Sequence, residues 1–191
     1  LSPFFNELAY SVSVERLLGI EVPPRADAIR VLLCELNRIS SHLVWLATTG
    51  LELGAISVML YGFREREAII DIFEAITGLR MNHGFIRPGG LAMDLPDGAE
   101  ERIRRFLLQM DARADELEDL LSGNPIWVER NRGVGVLDAE TCLRWGVTGP
   151  LLRAAGVPFD LRKAEPYAGY ERYDFEVPVR QEADCYPRYE V

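Results

Sequence analysis

The side chains able to do proton or nucleophilic chemistry are few. There are two histidines, His42 and His83, three cysteines, Cys34, Cys142 and Cys185, and one lysine, Lys163, among 30 acids and 20 arginines. Glu52 stands between Leu51 and Leu53, with Gly54-Ala55-Ile56 after it. It reads in two ways: as a solvent-facing loop carboxylate or cap of the next helix, or as a partly desolvated acid. Burial disfavours the charged form and brings a carboxyl pKa toward neutrality, where it can exchange protons. His42 lies four residues after Arg38 and seven after Glu35, so a helix would put the three on one face. It reads as a satisfied core or groove histidine. His83 lies at a turn beside Asn82 and Arg87; it is either solvated or turned toward a charged cofactor. Arg64-Glu65-Arg66-Glu67 reads as a self-neutralising, solvated helix segment. Arg132-Gly133-Val134-Gly135-Val136 offers only GxG, without a strand–glycine loop–helix context. No CxxC pair, Walker A sequence or convincing Ser-His-Asp or Cys-His set is present. Nothing here forms a self-sufficient active site, and no metal is expected on this segment.

Elements must position these groups. The 191 residues, 48% apolar and 27% charged, suffice for an ordinary core and exclude a disordered chain. The net charge of −9 argues against nucleic acid and against docking on anionic lipid. No apolar run is long enough to span a bilayer. Ser2 is an N-cap before Pro3, with a helix from Phe4 to Leu18 and Gly19 as its C-cap. Ile29, Leu32, Leu33, Leu36, Ile39, Leu43 and Leu46 predict a helix over 26–48. Cys34, Val44 and Trp45 on its other face predict burial in a core or larger assembly. Gly50 and Gly54 interrupt the pattern, and a helix follows over 56–77, weakened at Gly62 and stopped by Gly78. Phe85 to Gly90 reads as a short extended piece with a tight turn. Asp97 caps a third long helix that ends at Gly123-Asn124-Pro125. The remainder is rich in Gly, Pro and Tyr. Cys142–Trp145 and Leu151–Ala155 read as short helices, and the alternation of Tyr173–Val179 as a strand. The fold class is therefore mainly α. One partial domain is expected, with a long-helix core over 1–123 and a short-element region over 124–191. Because Leu1 is not Met and opens directly on a helix entry, the chain reads as a segment of a longer protein.

A series of ordered blocks carries a family resemblance. They are Leu32-Leu-Cys-Glu-Leu-Asn-Arg-Ile-Ser-Ser-His-Leu43, Leu51-Glu-Leu-Gly-Ala55, Phe63-Arg-Glu-Arg-Glu67, Thr77-Gly-Leu-Arg-Met81 and Ile86-Arg-Pro-Gly-Gly90. Glu129-Arg-Asn-Arg-Gly-Val-Gly-Val136, Leu152-Arg-Ala-Ala-Gly156, Asp160-Leu-Arg-Lys163 and Pro166-Tyr167 continue the series. Together they resemble the D-type, or 49-kDa-type, subunit family of proton-pumping NADH–quinone oxidoreductase, respiratory complex I. The arginine bias suits a bacterium with a GC-rich genome.

The resemblance implies a fold like that of the nickel–iron hydrogenase large subunit, without its paired nickel-binding cysteines. It implies a peripheral-arm subunit on the cytoplasmic side of the inner (plasma) membrane. Its partners would be other complex I subunits, especially the C-type subunit and the one that holds the terminal iron–sulfur cluster. Quinone would enter a cavity beside that cluster, while FMN, NADH and the iron–sulfur clusters belong to partners. The family's headgroup tyrosine would fall just before Leu1 and its histidine well before it. The histidine's acidic partner, usually Asp, corresponds to Glu52. Cavity-lining positions correspond to Ser2, Val44, Thr48, Met59 and Phe63. Near the cluster, many members carry histidine where this sequence has Asn82; His83 is adjacent, and Arg87 matches the family arginine. Glu52 would then serve in the proton relay, and the segment alone would be inactive and would self-associate through exposed interface. Two other readings stay open: a non-catalytic scaffold, and a hydrogenase-like large subunit joining electron-transfer partners.

Overall fold

A computed structural model describes residues 2–191; the helix entry expected at Leu1 lies outside them. The described residues form two compact units, divided after Gly123.

The first unit is built on long helices. Helix α1 spans Pro3–Leu18, α2 Pro24–Glu52, α3 Ile56–Thr77 and α4 Ala99–Ser122. Helix α1 buries Phe4, Leu8, Ser11 and Glu15, spaced four, three and four apart, so one stripe meets α2 and the hairpin below. Pro3 occupies its first turn and Gly19 closes it at φ +65°. The Ser2 hydroxyl does not cap the helix. Instead the Phe4 amide donates to Asn37 Oδ1 of α2 at 3.1 Å, so a neighbouring helix satisfies an N-terminal donor.

Helix α2 does not stop near residue 48. It runs through Gly50 to Glu52. A methyl at Gly50 would lie 3.1 Å from Val58 Cβ, so the glycine is where α3 closes on α2. Glycine costs about 1 kcal/mol within a helix, less than the roughly 1.5–3 kcal/mol gained by burying a valine, and packing wins. Gly62 likewise does not weaken α3, because it is buried against Ala47 and Leu43. Contacts of 50 with 58 and of 43 and 47 with 62 make α2 and α3 antiparallel.

Helix α4 packs on α3, buries Ile103, Phe106, Leu117 and Leu121, and pairs Glu116 with Arg64 and Arg113 with Glu65 across a polar seam. Asp97 does not cap it; Gly98, at φ +80°, holds that position. Between α3 and α4, strands β1 (Ile86–Arg87) and β2 (Gly90–Leu91) pair antiparallel around Pro88-Gly89. Pro followed by a glycine at φ +87° is the combination of a type II turn.

The second unit holds α5 (Pro125–Asn131), α6 (Ala139–Arg144), α7 (Gly149–Ala154), α8 (Leu161–Ala164), a 3-10 turn (Tyr170–Arg172) and α9 (Cys185–Glu190). Asn124, Asp138, Asp160 and Asp184 each accept a backbone N–H at the start of a short helix. The fold is mainly α, as the sequence indicates. However, the only strands among the described residues lie in the first unit, and Tyr173–Val179 forms none. A strand needs a ladder partner. Here Phe175 is instead covered by Arg162 and Lys163, at 4.4 and 4.8 Å from its ring centre. The chain next bonds α7 only at its far end, through Arg180 N–H to Arg153 O and Ala183 N–H to Ala154 O.

Candidate functional site

The expected cavity residues sit on the α2–α3 pair. Leu43, Ala47 and Gly50 of α2 face Val58 and Gly62 of α3. Each helical residue turns about 100° from the one before. In an antiparallel pair, the residue after each seam residue turns to the same side on both helices. Val44 and Thr48 follow Leu43 and Ala47, and Met59 and Phe63 follow Val58 and Gly62. These four therefore share one side of the pair. Val44, Thr48 and Met59 are half-buried and Phe63 is 37% exposed, as fits positions on the flank of a seam. Asn37 lies two helical turns before Val44 on that same strip. It holds the Phe4 amide, and Ser2, half-buried, stands two residues before Phe4.

The strip has definite chemistry. Thr48 Oγ1 donates to Val44 O at 2.9 Å or to Trp45 O at 3.1 Å. Its proton is thus committed to the backbone, and its lone pairs are what it offers outward. Glu52 continues the Val44–Thr48 ridge at four-residue spacing and ends α2. It is exposed and does not cap α3, whose N-cap is Ala55. Any desolvation of this acid must come from something laid over it. Leu51, Ile56 and Leu60 around the helix junction are also exposed.

A second group gathers at the hairpin. His83 is only 8% exposed, which corrects the solvated reading. Its ring lies parallel to Phe4 at 4.1 Å and edge-on to Phe73 at 5.3 Å. Nε2 donates to Arg80 O at 3.3 Å, which leaves the buried Nδ1 without a hydrogen-bond partner among the described residues. Burial lowers the imidazole pKa, against the opposing influence of Glu7 and the Arg80 carbonyl. Asn82 takes φ +57° and is exposed. The left-handed backbone there turns consecutive side chains apart, Asn82 outward and His83 into the core. Arg87 is exposed, with Nε donating to Gly84 O at 3.0 Å.

Residues that the sequence reading missed hold this group in place. Glu7 accepts the amides of Gly84, Phe85 and Ile86 at 2.8, 2.9 and 2.9 Å. Arg30, 0% exposed, pairs with Glu15 at 2.6 Å and donates to Arg87 O and Gly90 O at 2.8 and 3.0 Å. Glu15 also accepts the Gly89 amide at 2.8 Å. The available signal was an arginine between Ile29 and Val31, inside an apolar stripe, with acids on the preceding helix.

Other expectations are corrected too. His42 is exposed rather than sunk in the core, while Glu35 and Arg38 pair at 2.9 Å beside it. Glu65 is buried, not solvated, and meets Arg64 and, at 3.6 Å, Arg113 of α4. Burial pushes the Cys34 thiol up to about 12, which makes it inert as a nucleophile. Among the described residues, no group of three or more His, Cys, Asp or Glu side chains is placed to hold a metal ion. None of their helices is long and apolar enough to cross a membrane. A groove of about 370 Å³ opens between α2 and α4, lined by Ile29, Leu32, Leu95, Ile103 and Leu107; it contains none of the expected site residues.

Comparison with known proteins agrees with the ordered blocks. Residues 52–191 match the family described as respiratory-chain NADH dehydrogenase, 49 Kd subunit. The chain is 63% identical over its whole length to the D-type subunit of NADH-quinone oxidoreductase from Acidothermus cellulolyticus. It is 61% identical over its whole length to a D-type subunit from Salinispora arenicola, and 60% identical over 99% of its length to the one from Mycobacteroides abscessus. It spans 44% of the length of each of these three relatives. A matching family model over most of the sequence, on a mainly helical chain with these blocks in order, establishes that the chain belongs to the 49-kDa subunit family of respiratory-chain NADH dehydrogenase.

Proposed function

We propose that this chain forms part of the wall of a quinone cavity in a proton-translocating NADH–quinone oxidoreductase, beside the terminal iron–sulfur cluster held by a partner. The observation that carries the reading is the shared side of Val44, Thr48, Met59 and Phe63 on the α2–α3 pair, to which the reading adds Ser2 near the Phe4–Asn37 contact. That strip is apolar enough for an isoprenoid-type carrier and offers hydroxyl oxygens for its polar head. Asn82, His83 and Arg87 belong to the neighbouring hairpin region, which faces the cluster-bearing partner. NADH, FMN and the clusters are the business of other subunits, the C-type subunit being a further neighbour. The whole sits peripherally on the cytoplasmic face of the inner membrane. The segment alone lacks electron supply and is inactive.

The partner's cluster would supply the two electrons that, with two protons, convert the quinone to its quinol. The chain's part is to bind, orient and deliver protons. Thr48, whose own proton is bound to the backbone, accepts from the quinol hydroxyl and so favours the reduced head. Glu52, once covered by a partner, carries one proton of the relay. Glu52→Gln in the complete enzyme is expected to cut quinone reductase turnover and leave NADH–ferricyanide reduction unchanged. Equal quinone turnover in the variant and the parent rejects the relay role.

A further inference from the structure

We infer that Gly62 is a positioning residue that sets the width of the proposed quinone wall through its contact with Ala47. The inference rests on the quinone-wall reading above and goes beyond it. A Cβ at position 62 would lie 2.9 Å from Ala47 Cβ and 3.0 Å from Leu43 O. Neither atom belongs to a flexible side chain: one is a Cβ fixed to the backbone and the other is the backbone itself. Ordinary carbon–carbon contact is about 3.5–4.0 Å, so a methyl here separates the helix axes by about 1 Å. Gly50 makes the same kind of approach nearer the helix junction, where a Cβ would meet Val58 Cβ and Cγ1 at 3.1 Å.

The consequence for binding follows from chain connectivity. Phe63 follows Gly62 and Thr48 follows Ala47, so displacement of the seam passes directly into the side chains flanking it. Phe63 stands on one helix and Thr48 on the other. Their separation is therefore the dimension that the seam controls, and a carrier spanning both feels it. Glycine at 62 does not serve the backbone: it sits within α3, where any L-residue could adopt the conformation. Its value is the missing methyl. Because the seam acts on ground-state fit rather than on the reacting atoms, its loss raises KM more than it lowers kcat.

The test uses the complete enzyme, with a short-chain ubiquinone analogue and a short-chain menaquinone analogue as probes and NADH–ferricyanide reduction as the control. Gly62→Ala is expected to raise quinone KM about tenfold while kcat changes less than about twofold, as loss of uniform binding does. Ala47→Gly added to it removes the atom met at 2.9 Å, leaves Leu43 O at 3.0 Å, and is expected to bring KM part of the way back toward the parent. A merely destabilising glycine substitution would not be repaired by a second glycine, which itself weakens a helix. If Gly62→Ala does not assemble, Gly50→Ala decides, with Val58→Ala as its relief. There the atoms met belong to a side chain, and a smaller KM rise that Val58→Ala reverses supports the inference. Phe63→Ala separates the two levels. If it raises KM while Gly62→Ala, or Gly50→Ala in its stead, does not, the wall stands and the inference about the seam is overturned. If it leaves KM unchanged, the wall itself is overturned and the inference with it. An elevated KM in Gly62→Ala that is equally high with Ala47→Gly also overturns it.

Discussion

The flank of the α2–α3 seam and the anchor of the hairpin lie in the same unit and are built by opposite means. The flank is defined by shape. Glycines bring two backbones together, and Val44, Thr48, Met59 and Phe63 are left half-covered beside the join. The anchor is defined by charge-assisted hydrogen bonds. Arg30, Glu15 and Glu7 hold the backbone of residues 84–90 from three directions. Incomplete coverage is what the proposed wall needs in order to admit and release an apolar carrier. A loop that must keep Asn82 and Arg87 turned outward cannot tolerate slack, and buried polar bonds supply the constraint.

The difference is measurable as stability against binding. Arg30→Ala is expected to have the largest effect on urea unfolding of the chain, a loss of about 3–5 kcal/mol, because buried Glu15 loses its cation and keeps only the Gly89 amide. Replacing both, Arg30→Met with Glu15→Leu, is expected to cost clearly less than Arg30→Ala alone, and a cost equal to the single variant contradicts the pairing. Glu7→Ala comes next, at about 3 kcal/mol, for amides that lose a charged acceptor. Gly62→Ala is expected to cost about 1–3 kcal/mol as an overpacked contact. Phe63→Ala, at a position 37% exposed, is expected to cost about 1–2 kcal/mol. In quinone affinity the order reverses, with Phe63 and Gly62 above Glu7.

The pH dependence sharpens the comparison from the anchor's side. His83 has a folded pKa below its unfolded value of 6.5. In the interval between the two, the unfolded chain binds more protons, so stability rises with pH there. The contribution of neutral His83 is complete above 6.5 and is lost as pH falls through the unfolded value toward the folded one. His83→Phe keeps the stack on Phe4 and is expected to flatten that slope in urea midpoints taken from about pH 7 downward. An unchanged slope contradicts burial of the imidazole.

Much of the helical frame was legible in the sequence, because α1, α2 and α3 carry buried residues at helical spacing. What misled was local chemistry overruled by packing. Gly50 and Gly62 looked like breaks, yet each is a place where another helix needs the missing side chain. Asp97 looked like a cap, but Gly98 enters the helix instead. Tyr173–Val179 alternated like a strand, yet alternation cannot supply a ladder partner. The candidate site was legible only in part. Resemblance supplied the residue numbers, while the shared side of Val44, Thr48, Met59 and Phe63 required the helix register. Glu7, Glu15 and Arg30 were hidden because single charges within apolar stripes do not announce their partners.

The most direct measurement is photolabelling of the complete enzyme with an azido-quinone, followed by mass spectrometry of the α2 and α3 peptides. Labels on Val44, Thr48, Met59 or Phe63 are the expected result. The residues just before the seam positions, His42, Leu46, Ser57 and Tyr61, turn to the opposite side of the same helix pair. Labels confined to those residues, or absent from both helices, contradict the proposed wall.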